Sequence, residues 1–502
     1  MRRLLLLLVL APSSTSALGQ DSSSSREVQL IDQAMQETAR KAEPAIASIL
    51  VSRSEDYRRL LKDSPPADQA GELGGFDRLQ ARKTLSETIK DSGRLEAILR
   101  RLDLSDPENV PESYGTGVAI SERGLILTSF HVVEGTAKIY VRLPGGKGSY
   151  ANIHAGDIRS DLAMLRLVDS SLLPVPFLRP TSSQVRKGQL ILTMTNPFAP
   201  GFRNASPRAS WGIVNNLHQK LPQKSTPTEQ DKWTFNQVGT FIQIDRSLPM
   251  GSSGGALLNL EGQMVGMITG MAGISGDPEG ALVVPLDAAM LRIIGVLEKG
   301  EEVEYGFLGI TFERAGFERQ NRFRPPGVYF GDVVANSPAM RAGLERGDII
   351  LAVDDFPVFQ NDDLRFAIGR ALAGTTVKLK VRRALGQTET IPVTVVKSSV
   401  TEQFIASVKH PFARGVRVDY TSTAVQRVPA PEIARGVLVR EVQKGSQAEA
   451  ARLQDAVILK VDGQEVRTPA EFYEKMDKKG PVKLTLSAIN EDTNHWQEVT
   501  LD

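Results

Sequence analysis

A glycine-rich segment near the middle of the chain, Gly251-Ser252-Ser253-Gly254-Gly255, has the composition of a turn that presents a nucleophile. Glycine reaches positive φ without a steric penalty, so successive backbone N–H groups beside the Ser253 hydroxyl can turn towards one point. The N–H groups of Gly251 and Ser253 would then bind the oxyanion of a tetrahedral intermediate, and losing one such donor costs about 3 kcal/mol. A flexible Gly/Ser turn without chemistry has the same composition, so the flanking segments must decide.

Those flanking segments favour a turn held between strands. Residues 241–245 (FIQID) run into it, and residues 256–270 (ALLNLEGQMVGMITG) leave it as a hairpin. A serine hydroxyl is a poor nucleophile at neutral pH and needs a neighbouring base. Among the five histidines, only His131 lies where an apolar strand-like segment, LILTSF, meets a turn. We therefore expect His131 to be the base for Ser253.

A carboxylate is the third group that this chemistry needs, because it holds the imidazole tautomer and stabilises the imidazolium. Asp161 opens the strand-like segment DLAMLRL directly after a turn and is the candidate. Asp157, four residues earlier, is the alternative and is less firmly tied to a strand. The three groups are far apart along the chain, so the fold must bring them together.

The composition argues against several other kinds of chemistry. The chain has no cysteine, which excludes disulfides, thiol catalysis and thiolate metal sites. Its histidines show no close His/Glu ligand spacing, so we expect no metal and no cofactor. Sixty basic residues against 59 acidic ones leave a net charge of +1, too little to hold a phosphate backbone, so we expect no nucleic-acid partner.

The N-terminus has the features of an export signal. Arg2 and Arg3 precede an apolar run, and Ala17-Leu18-Gly19 offers a cleavage site of small residues, so residues 1–19 are predicted to be a signal peptide. The apolar run is too short to cross a bilayer as a helix, which needs about 20 residues. We expect an exported chain without stable membrane insertion.

The elements that must position the candidate residues are mainly strands. From residue 114 to about 296, short β-type segments broken by Gly, Pro and Asn predict an all-β barrel or sandwich, closed by a helix within 284–300. A polar start at 20–26, expected to be unstructured, leads into an amphipathic helix that ends before Pro44. The charged, partly helical segment 54–112 reads either as a solvated excursion or as a regulatory or oligomerisation loop.

The C-terminal part contains a repeat. Similar segments begin at Gly327 and Gly436, 109 residues apart, and each is followed by a helix-like stretch and strands. Two copies of such a unit indicate two small domains rather than a solenoid, whose periods are shorter. Residues 398–412 and 428–432 are expected at the start of the second unit. At 502 residues the chain has room for about three domains in all.

Several motifs resemble the HtrA (Deg) family of serine proteases. They are TSFHVVEG, SDLAMLRL and IQIDRSLPMGSSGGALLNLEGQMVGM, in the order His, Asp, Ser, together with GTGVAI before the histidine and TNPF before SWGIV. YGFLGI (305–310) resembles the carboxylate-binding loop of a PDZ domain. The resemblance covers residues 27–53 and 113–502, and leaves out the insertion.

The resemblance implies a mostly β fold: a trypsin-like double β-barrel protease domain at 27–300, followed by two PDZ-like α+β domains at 304–397 and, more divergent, at 410–502. It implies a catalytic triad of His131, Asp161 and Ser253. It further implies ATP-independent cleavage of unfolded or misfolded proteins in the periplasm, by homo-oligomers that are trimers or multiples of trimers. The alternative is a PDZ-based chaperone, holdase or scaffold with a latent protease domain.

The same resemblance assigns a peptide site to the first PDZ unit. A peptide C-terminus would add a strand along Gly309 and Ile310, with its carboxylate on backbone N–H groups of Gly306, Phe307 and Leu308. A pair of structural spacers is the alternative interpretation. In the second unit the pattern weakens, since Arg452 replaces the glycine found at position 343 and the loop 413–416 is less typical, so peptide binding there stays open.

The chain departs from the family pattern near the nucleophile. Ser252 stands where Asn is usual, Met250 where Pro is usual, and Phe130 where a small or polar residue is common, which we interpret as changes in loop packing. In trypsin-like folds the residue six before the nucleophile lies near the base of the S1 pocket, and here it is the uncharged Ser247. With loop 269–281 as a largely small and apolar wall, we expect cleavage after Val, Ala or Ile, with modest selectivity.

Overall fold

The computed structural model of the chain describes residues 22–61, 76–197, 206–220, 235, 239–270, 280–312, 326–399, 404–427, 433–487 and 497–502. The predicted signal peptide at 1–19, most of the loop 269–281 and the turn 428–432 lie outside these residues. Two closed six-stranded barrels are followed by two PDZ-type sheets, which confirms the predicted fold class. Within the described residues, no helix is long and apolar enough to span a membrane.

Six strands form the first barrel, in the order β5-β4-β1-β2-β3-β6, with β6 pairing back to β5. Their bounds are β1 Ile46–Ser52, β2 Ser113–Ser121, β3 Leu125–Ser129, β4 Lys138–Arg142, β5 Gly148–Asp157 and β6 Leu162–Leu167. All seven residues of β1 and all five of β3 are buried, because these strands are covered on both faces. Helix α1 (Ser22–Ala42) precedes the barrel and begins inside the segment expected to be unstructured.

The insertion between β1 and β2 contains three helices: α2 Glu55–Leu61, α3 Arg78–Thr88 and α4 Ser92–Leu102. The Asp77 side chain caps α3 by accepting hydrogen bonds from the N–H groups of residues 79 and 80, and the Asp91 side chain caps α4 by accepting one from the N–H of Arg94. Leu85, Leu99 and Tyr57 bury their side chains in a cluster separate from the barrel core. The predicted helical character of the insertion is confirmed.

The second barrel closes in the order β10-β11-β12-β9-β8-β7. Its strands are β7 Leu190–Thr195, β8 Arg208–Gln219, β9 Phe241–Ile244, β10 Ala256–Leu258, β11 Met264–Thr269 and β12 Ala281–Pro285. A one-turn helix, α5 (Phe130–Val133), lies in the first barrel after β3, and helix α6 (Ala288–Glu298) follows the second barrel, as predicted. The motif around Ser253 therefore connects β9 to β10, and the motif around His131 lies in the other barrel.

The repeat is confirmed by two sheets of equal strand order, β14-β15-β16-β18-β19 and β22-β23-β24-β26-β27. The first unit contains β13 Gly306–Phe307, β14 Ile310–Phe312, β15 Val328–Val333, α7 Pro338–Arg341, β16 Ile349–Val353, β17 Phe356–Pro357, α8 Asn361–Gly369, β18 Thr376–Arg382, β19 Thr388–Thr394 and β20 Val396–Lys397. The second contains β22 Val416–Tyr420, β23 Val437–Val442, α9 Gln447–Ala450, β24 Val457–Val461, β25 Gln464–Glu465, α10 Pro469–Met476, β26 Val482–Ser487 and β27 Gln497–Leu501. Arg452 keeps the positive φ of its counterpart Gly343, at +56° against +71°.

The connection between the two PDZ units is corrected by the structure. Strand β21 (Ile405–Ala406) pairs with the edge of β5 in the first barrel, so part of the segment 398–412 belongs to the sheet of that barrel rather than to the second unit. The Ser407 side chain also contacts Nδ1 of His154 at 2.7 Å. An exposed strand edge can recruit another strand by backbone hydrogen bonds, and here the chain itself fills that edge.

Candidate active site

His131 and Asp161 form the best-defined part of the site. Nδ1 of His131 lies 2.8 Å from Oδ2 and 3.0 Å from Oδ1 of Asp161, and the backbone N–H of His131 donates to Oδ1 at 2.9 Å. The carboxylate is buried, whereas the imidazole is 42% exposed. Because Nδ1 is engaged by the carboxylate, Nε2 is the nitrogen left to exchange a proton with a hydroxyl.

The turn between β5 and β6 positions Asp161. Its φ of +56° lies in the left-handed region, which aspartate tolerates better than most residues. The Asp161 carbonyl accepts a hydrogen bond from the N–H of Phe130 at 2.9 Å, so both its backbone and its side chain hold the first turn of α5. Asp161 alone thus holds both the backbone and the ring of His131 in place.

The loop that carries Ser253 lies on strand β2. The backbone N–H of Thr116 donates to the Ser253 carbonyl at 2.9 Å, and the Thr116 hydroxyl donates to the Gly251 carbonyl at 2.8 Å. The preceding residue of β2, Gly115, approaches α5 so closely that a Cβ there would lie 2.6 Å from the side chain of Val132. The serine loop and the histidine helix therefore meet at consecutive residues of one strand.

The Ser253 hydroxyl points towards Gly270, where an added Cβ would lie 2.6 Å from Oγ. Among the described residues, no hydrogen bond joins this hydroxyl to His131. Catalytic hydrogen bonds are often long or absent in unliganded sites and form when substrate binds. The structure brings His131 and Asp161 into contact, and it brings the loop of Ser253 beside them.

Gly251 has the backbone conformation that the turn was expected to need. Its φ is +85°, and a Cβ there would lie 2.5 Å from the ring of Tyr114 and 3.0 Å from Pro197. In the part of the chain that the structure describes, the N–H groups of Gly251 and Ser253 donate to no protein acceptor. Because neither N–H group is engaged within the protein, both are available to an oxyanion.

The electrostatic environment raises the pKa of His131. Burial works against the protonated ring, and Arg53 works in the same direction. The hydrogen bond and the charge of Asp161, helped by Glu134, outweigh them, so the pKa ends above its usual value. A carboxylate at Nδ1 has this effect because it stabilises the imidazolium.

Asp157, the alternative acid, makes no contact with His131 among the described residues. Its Oδ2 accepts hydrogen bonds from the backbone N–H of Ser160 at 2.8 Å, from the Ser160 hydroxyl and from the hydroxyl of Tyr305. The two aspartates of this turn therefore have different neighbours, and the geometry favours Asp161 as the partner of the imidazole.

The departures from the family pattern have local structural consequences. The Phe130 ring lies against Gly156, where an added Cβ would approach it to 2.8 Å. Met250 is 85% exposed, and the buried Ser252 hydroxyl has no hydrogen-bond partner in the described residues. Thr116 was not singled out from the sequence, although the glycines on both sides of it, Gly115 and Gly117, signal a close backbone approach in a strand.

The first PDZ unit places most of its expected peptide site on one edge. Among the described residues β14 pairs with β15 on one side only, and Arg365 of α8 lies beside Phe312 at its other edge; we call the space between this edge and α8 the groove. The expected carboxylate donors are not equally available, since the N–H of Gly306 already donates to the Ala371 carbonyl at 2.6 Å and Phe307 pairs with Val396. Leu308 is the candidate donor that is left.

The corresponding groove of the second unit is bridged by a tyrosine. The N–H of Val418, on β22, donates to the hydroxyl of Tyr473, on α10, at 3.3 Å. His410 stacks on the same tyrosine with ring centroids 5.3 Å apart. In the first unit the matching positions are Phe312 and Arg365, whose guanidinium lies 4.5 Å from the Phe312 ring and leaves the strand backbone unbridged by side-chain hydrogen bonds among the described residues.

No group of three or more His, Asp or Glu residues with a metal-binding arrangement occurs among the described residues. The family model of a trypsin-like peptidase domain matches residues 115–267, and that of a PDZ domain matches residues 306–395. These two matches correspond to the double barrel and to the first of the two repeated sheets.

Curated relatives cover most of the chain. A probable periplasmic serine endoprotease, DegP-like, of Hahella chejuensis is 30% identical over 375 residues, which is 73% of this chain and 76% of the relative. The protein of the same description from Chlamydia trachomatis is 32% identical and covers 71% of this chain and 68% of its own length. A solved structure, the HtrA-type protease AlgW with decapeptide, matches 73% of this chain and 99% of its own at 22% identity and a TM-score of 0.46. The chain belongs to the HtrA family and is a serine endopeptidase with PDZ domains.

Proposed function

We propose that this chain is an exported, periplasmic endopeptidase that degrades unfolded or misfolded proteins without ATP. Ser253 is the nucleophile, His131 the general base and then the general acid, and Asp161 the group that orients the imidazole. The N–H groups of Gly251 and Ser253 form the oxyanion hole. The description of the relatives as periplasmic supports the location.

The reaction follows from the positions of these groups. Ser253 Oγ attacks the substrate carbonyl and its proton passes to Nε2 of His131, while Asp161 accepts the Nδ1 hydrogen bond. The imidazolium then protonates the leaving amine, which breaks the peptide bond and leaves an acyl group on Ser253. Water, deprotonated by His131, releases the acyl group as a carboxylic acid and returns the proton to Ser253.

One observation carries the proposal: the buried carboxylate of Asp161 lies 2.8 Å from Nδ1 of His131. This pair is next to β2, the strand that binds the Ser253 loop. A histidine with no role would not need its backbone N–H and its Nδ1 both bound by one buried carboxylate. The N–H groups of Gly251 and Ser253, which donate to no acceptor among the described residues, complete the set of groups that acyl transfer requires.

The substrate-binding features are proposed with the same function. Gly270 next to Ser253 leaves room for a backbone or a small side chain, in keeping with Val, Ala or Ile before the cleaved bond. C-terminal peptides would bind along β14 of the first PDZ unit. Three apolar residues of α1, Val28, Leu30 and Ile31, are 44–66% exposed, which supports a homo-oligomer, a trimer or a multiple of it, that covers them.

Replacement of the nucleophile tests the proposal. We expect Ser253→Ala to lower kcat for casein by about four to six orders of magnitude and to abolish labelling by a fluorophosphonate, with an unchanged circular dichroism spectrum. Ser252→Ala, one residue away in the same loop, is the matched control and should label normally. Undiminished casein cleavage by Ser253→Ala would contradict the assignment.

A second function, a holdase with a latent protease domain, is favoured by the lack of a Ser253–His131 hydrogen bond among the described residues. The two functions differ in two measurements on the wild-type chain. Suppression of aggregation without fluorophosphonate labelling would identify the holdase, whereas labelling together with casein cleavage would identify the protease.

A further inference from the structure

The turn that carries Asp161 is held by a buried polar contact that the proposed reaction does not use. Asp157, at the end of β5, is 7% exposed, and its Oδ2 accepts all three of the hydrogen bonds from Ser160 and Tyr305. Burial raises the pKa of Asp157, while these donors act in the opposite direction and favour the carboxylate. A buried carboxylate that depends on so few donors is sensitive to the loss of any one of them.

The conformation of Asp161 is held by its own hydrogen bonds and by those of the residue before it. Its left-handed backbone is a strained conformation for a residue with a side chain, and such conformations persist only where the surroundings hold them. At Asp161 itself, the N–H of Phe130 donates to its carbonyl and the N–H of His131 donates to its carboxylate. Before Asp161, the support comes from Ser160, whose N–H and hydroxyl are both fixed by Asp157.

Tyr305 supplies this support from outside the barrel. It directly precedes the first strand of the first PDZ unit, and its side chain is fully buried against the protease domain. The ring meets that of Phe235 edge-on at 5.1 Å, and the guanidinium of Arg159 lies 5.4 Å from its centroid. Burial, followed by the nearby charge of Asp157, raises the pKa of Tyr305, so the phenol stays protonated and donates.

We propose that Asp157 and Tyr305 are positioning residues for Asp161: the tyrosine hydroxyl holds the Asp157 carboxylate, which holds Ser160 and thereby the backbone of the neighbouring acid. This role rests on the proposed function of Asp161. It assigns the residue directly before the first strand of the PDZ unit a part in the geometry of the protease site. It also explains why the turn contains two aspartates of which one contacts the histidine.

The proposal predicts the response of the histidine. If the Asp157 contact is weakened, the Asp161 carboxylate is held less firmly at Nδ1 and stabilises the imidazolium less. The pKa of His131, which Asp161 and Glu134 raise against burial and Arg53, then falls. Activity at the pH plateau falls too, because misplacement of a catalytic group by a fraction of an ångström slows the reaction.

The experiment compares Tyr305→Phe with the wild-type chain. We measure the second-order rate constant of fluorophosphonate labelling at Ser253, and kcat/KM for fluorescein-labelled casein, between about pH 5.5 and 9. We expect a plateau about tenfold lower and an acid limb with its midpoint at lower pH. Tyr150→Phe is the matched control, since it removes a buried phenol at the other end of β5, where the hydroxyl contacts Asp103 at 3.5 Å.

Ser160→Ala provides a second test that leaves the tyrosine in place, for use if Tyr305→Phe does not fold. It removes one of the three donors to Asp157, so we expect the same two changes at smaller size. The double variant Tyr305→Phe/Asp157→Asn should be no slower than Asp157→Asn alone, because the two residues act through one contact.

The outcomes separate this proposal from the proposed function. An unchanged acid-limb midpoint in both Tyr305→Phe and Ser160→Ala, in a chain whose labelling is abolished by Ser253→Ala, would overturn the positioning role and leave the triad intact. A lower plateau with an unmoved midpoint would show a merely structural effect and would also overturn it. Labelling that survives Ser253→Ala would refute the proposed function itself.

Discussion

Thr116 holds Ser253 from the other barrel: its backbone N–H donates to the serine carbonyl at 2.9 Å, while its hydroxyl binds the Gly251 carbonyl two residues earlier at 2.8 Å. Thr116 is fully buried, and its hydroxyl also accepts the N–H of Asn196 at 3.0 Å. These two contacts anchor to β2 the loop that contains the N–H groups of Gly251 and Ser253. The orientation of the proposed oxyanion hole therefore depends on a residue far away in sequence.

Removal of the Thr116 hydroxyl should impair this orientation. In Thr116→Val we expect kcat for casein to fall by about ten- to a hundredfold, because the Gly251 carbonyl is freed and the loop holds its oxyanion donors less firmly in place. Thr193→Val is the control, since it removes a buried threonine hydroxyl that binds the Ser210 carbonyl at 2.9 Å within the second barrel. Equal loss of kcat in both variants would argue against a specific role.

The raised pKa of His131 sets the pH dependence. In the proposed reaction the neutral imidazole is the base, so we expect activity to be lost as the pH falls through the pKa of this residue. A raised pKa moves that loss to higher pH than the ordinary value of about 6.5. In Asp161→Asn the main group that raises the pKa is gone. We expect the midpoint of the acid limb to move to lower pH and kcat to fall by about four orders of magnitude.

Initial rates of casein cleavage between about pH 5.5 and 9 test the raised midpoint of the wild-type chain and its shift in Asp161→Asn. Glu134→Gln is the matched control, because Glu134 raises the same pKa by charge alone. It should lower the midpoint slightly and leave the plateau unchanged. An acid limb that is identical in the wild-type chain and Asp161→Asn would mean that another group titrates.

The pairing of His131 with Asp161 could be predicted because each residue lies at a recognisable junction between a strand and a turn. The choice between Asp157 and Asp161 could not be made from spacing alone, since both lie in the same turn. The backbone of Asp161, with φ at +56°, turns its carboxylate to the helix of His131, whereas Asp157 faces Tyr305, 148 residues away. Such contacts depend on how domains dock, which local patterns do not encode.

The same limit applies to the connection between the PDZ units. The repeat, its two sheets and the divergence at Arg452 could be derived from aligned motifs. The two-residue strand β21 could not, because Ile405 and Ala406 carry no strand signal of their own and pair only where β5 offers a free edge. The cluster of ion pairs around Lys397 was equally hidden, since its partners, Glu302, Glu304 and Asp419, come from two other segments of the chain.

That cluster should control how the second PDZ unit is attached. Lys397 is 2% exposed and its Nζ lies 2.9 Å from both Glu302 and Asp419, and 3.2 Å from Glu304. Lys397→Met removes the buried cation of this cluster and leaves Arg440 as the remaining cation beside Glu302 and Asp419, which costs up to about 3 kcal/mol. In a Ser253→Ala background, we expect added trypsin to cut the segment 398–412 faster in this variant.

Lys483→Met is the control for this experiment. Lys483 pairs with Glu498 at 2.7 Å, but both side chains are more than half exposed, so the loss should be below about 1 kcal/mol. Trypsin cleavage at an unchanged rate in Lys397→Met would show that the second unit is held mainly by strand β21 and apolar contacts.

Tyr473 should decide how many peptides each chain binds. A peptide that adds to β22 needs the N–H of Val418, and this N–H already donates to the Tyr473 hydroxyl at 3.3 Å, beneath the ring of His410. Burial raises the pKa of Tyr473, so the hydroxyl stays neutral and keeps its place across the working pH range.

We expect a fluorescein-labelled decapeptide with an apolar, free C-terminus to bind the Ser253→Ala chain with one site per subunit. Tyr473→Ala should add a second site, Tyr473→Phe should add a weaker one because its ring still fills the groove, and the amidated peptide should bind neither. Two sites in the chain with Tyr473 intact would show that the tyrosine moves aside without cost, and the bridge across the second groove would then have no bearing on peptide binding.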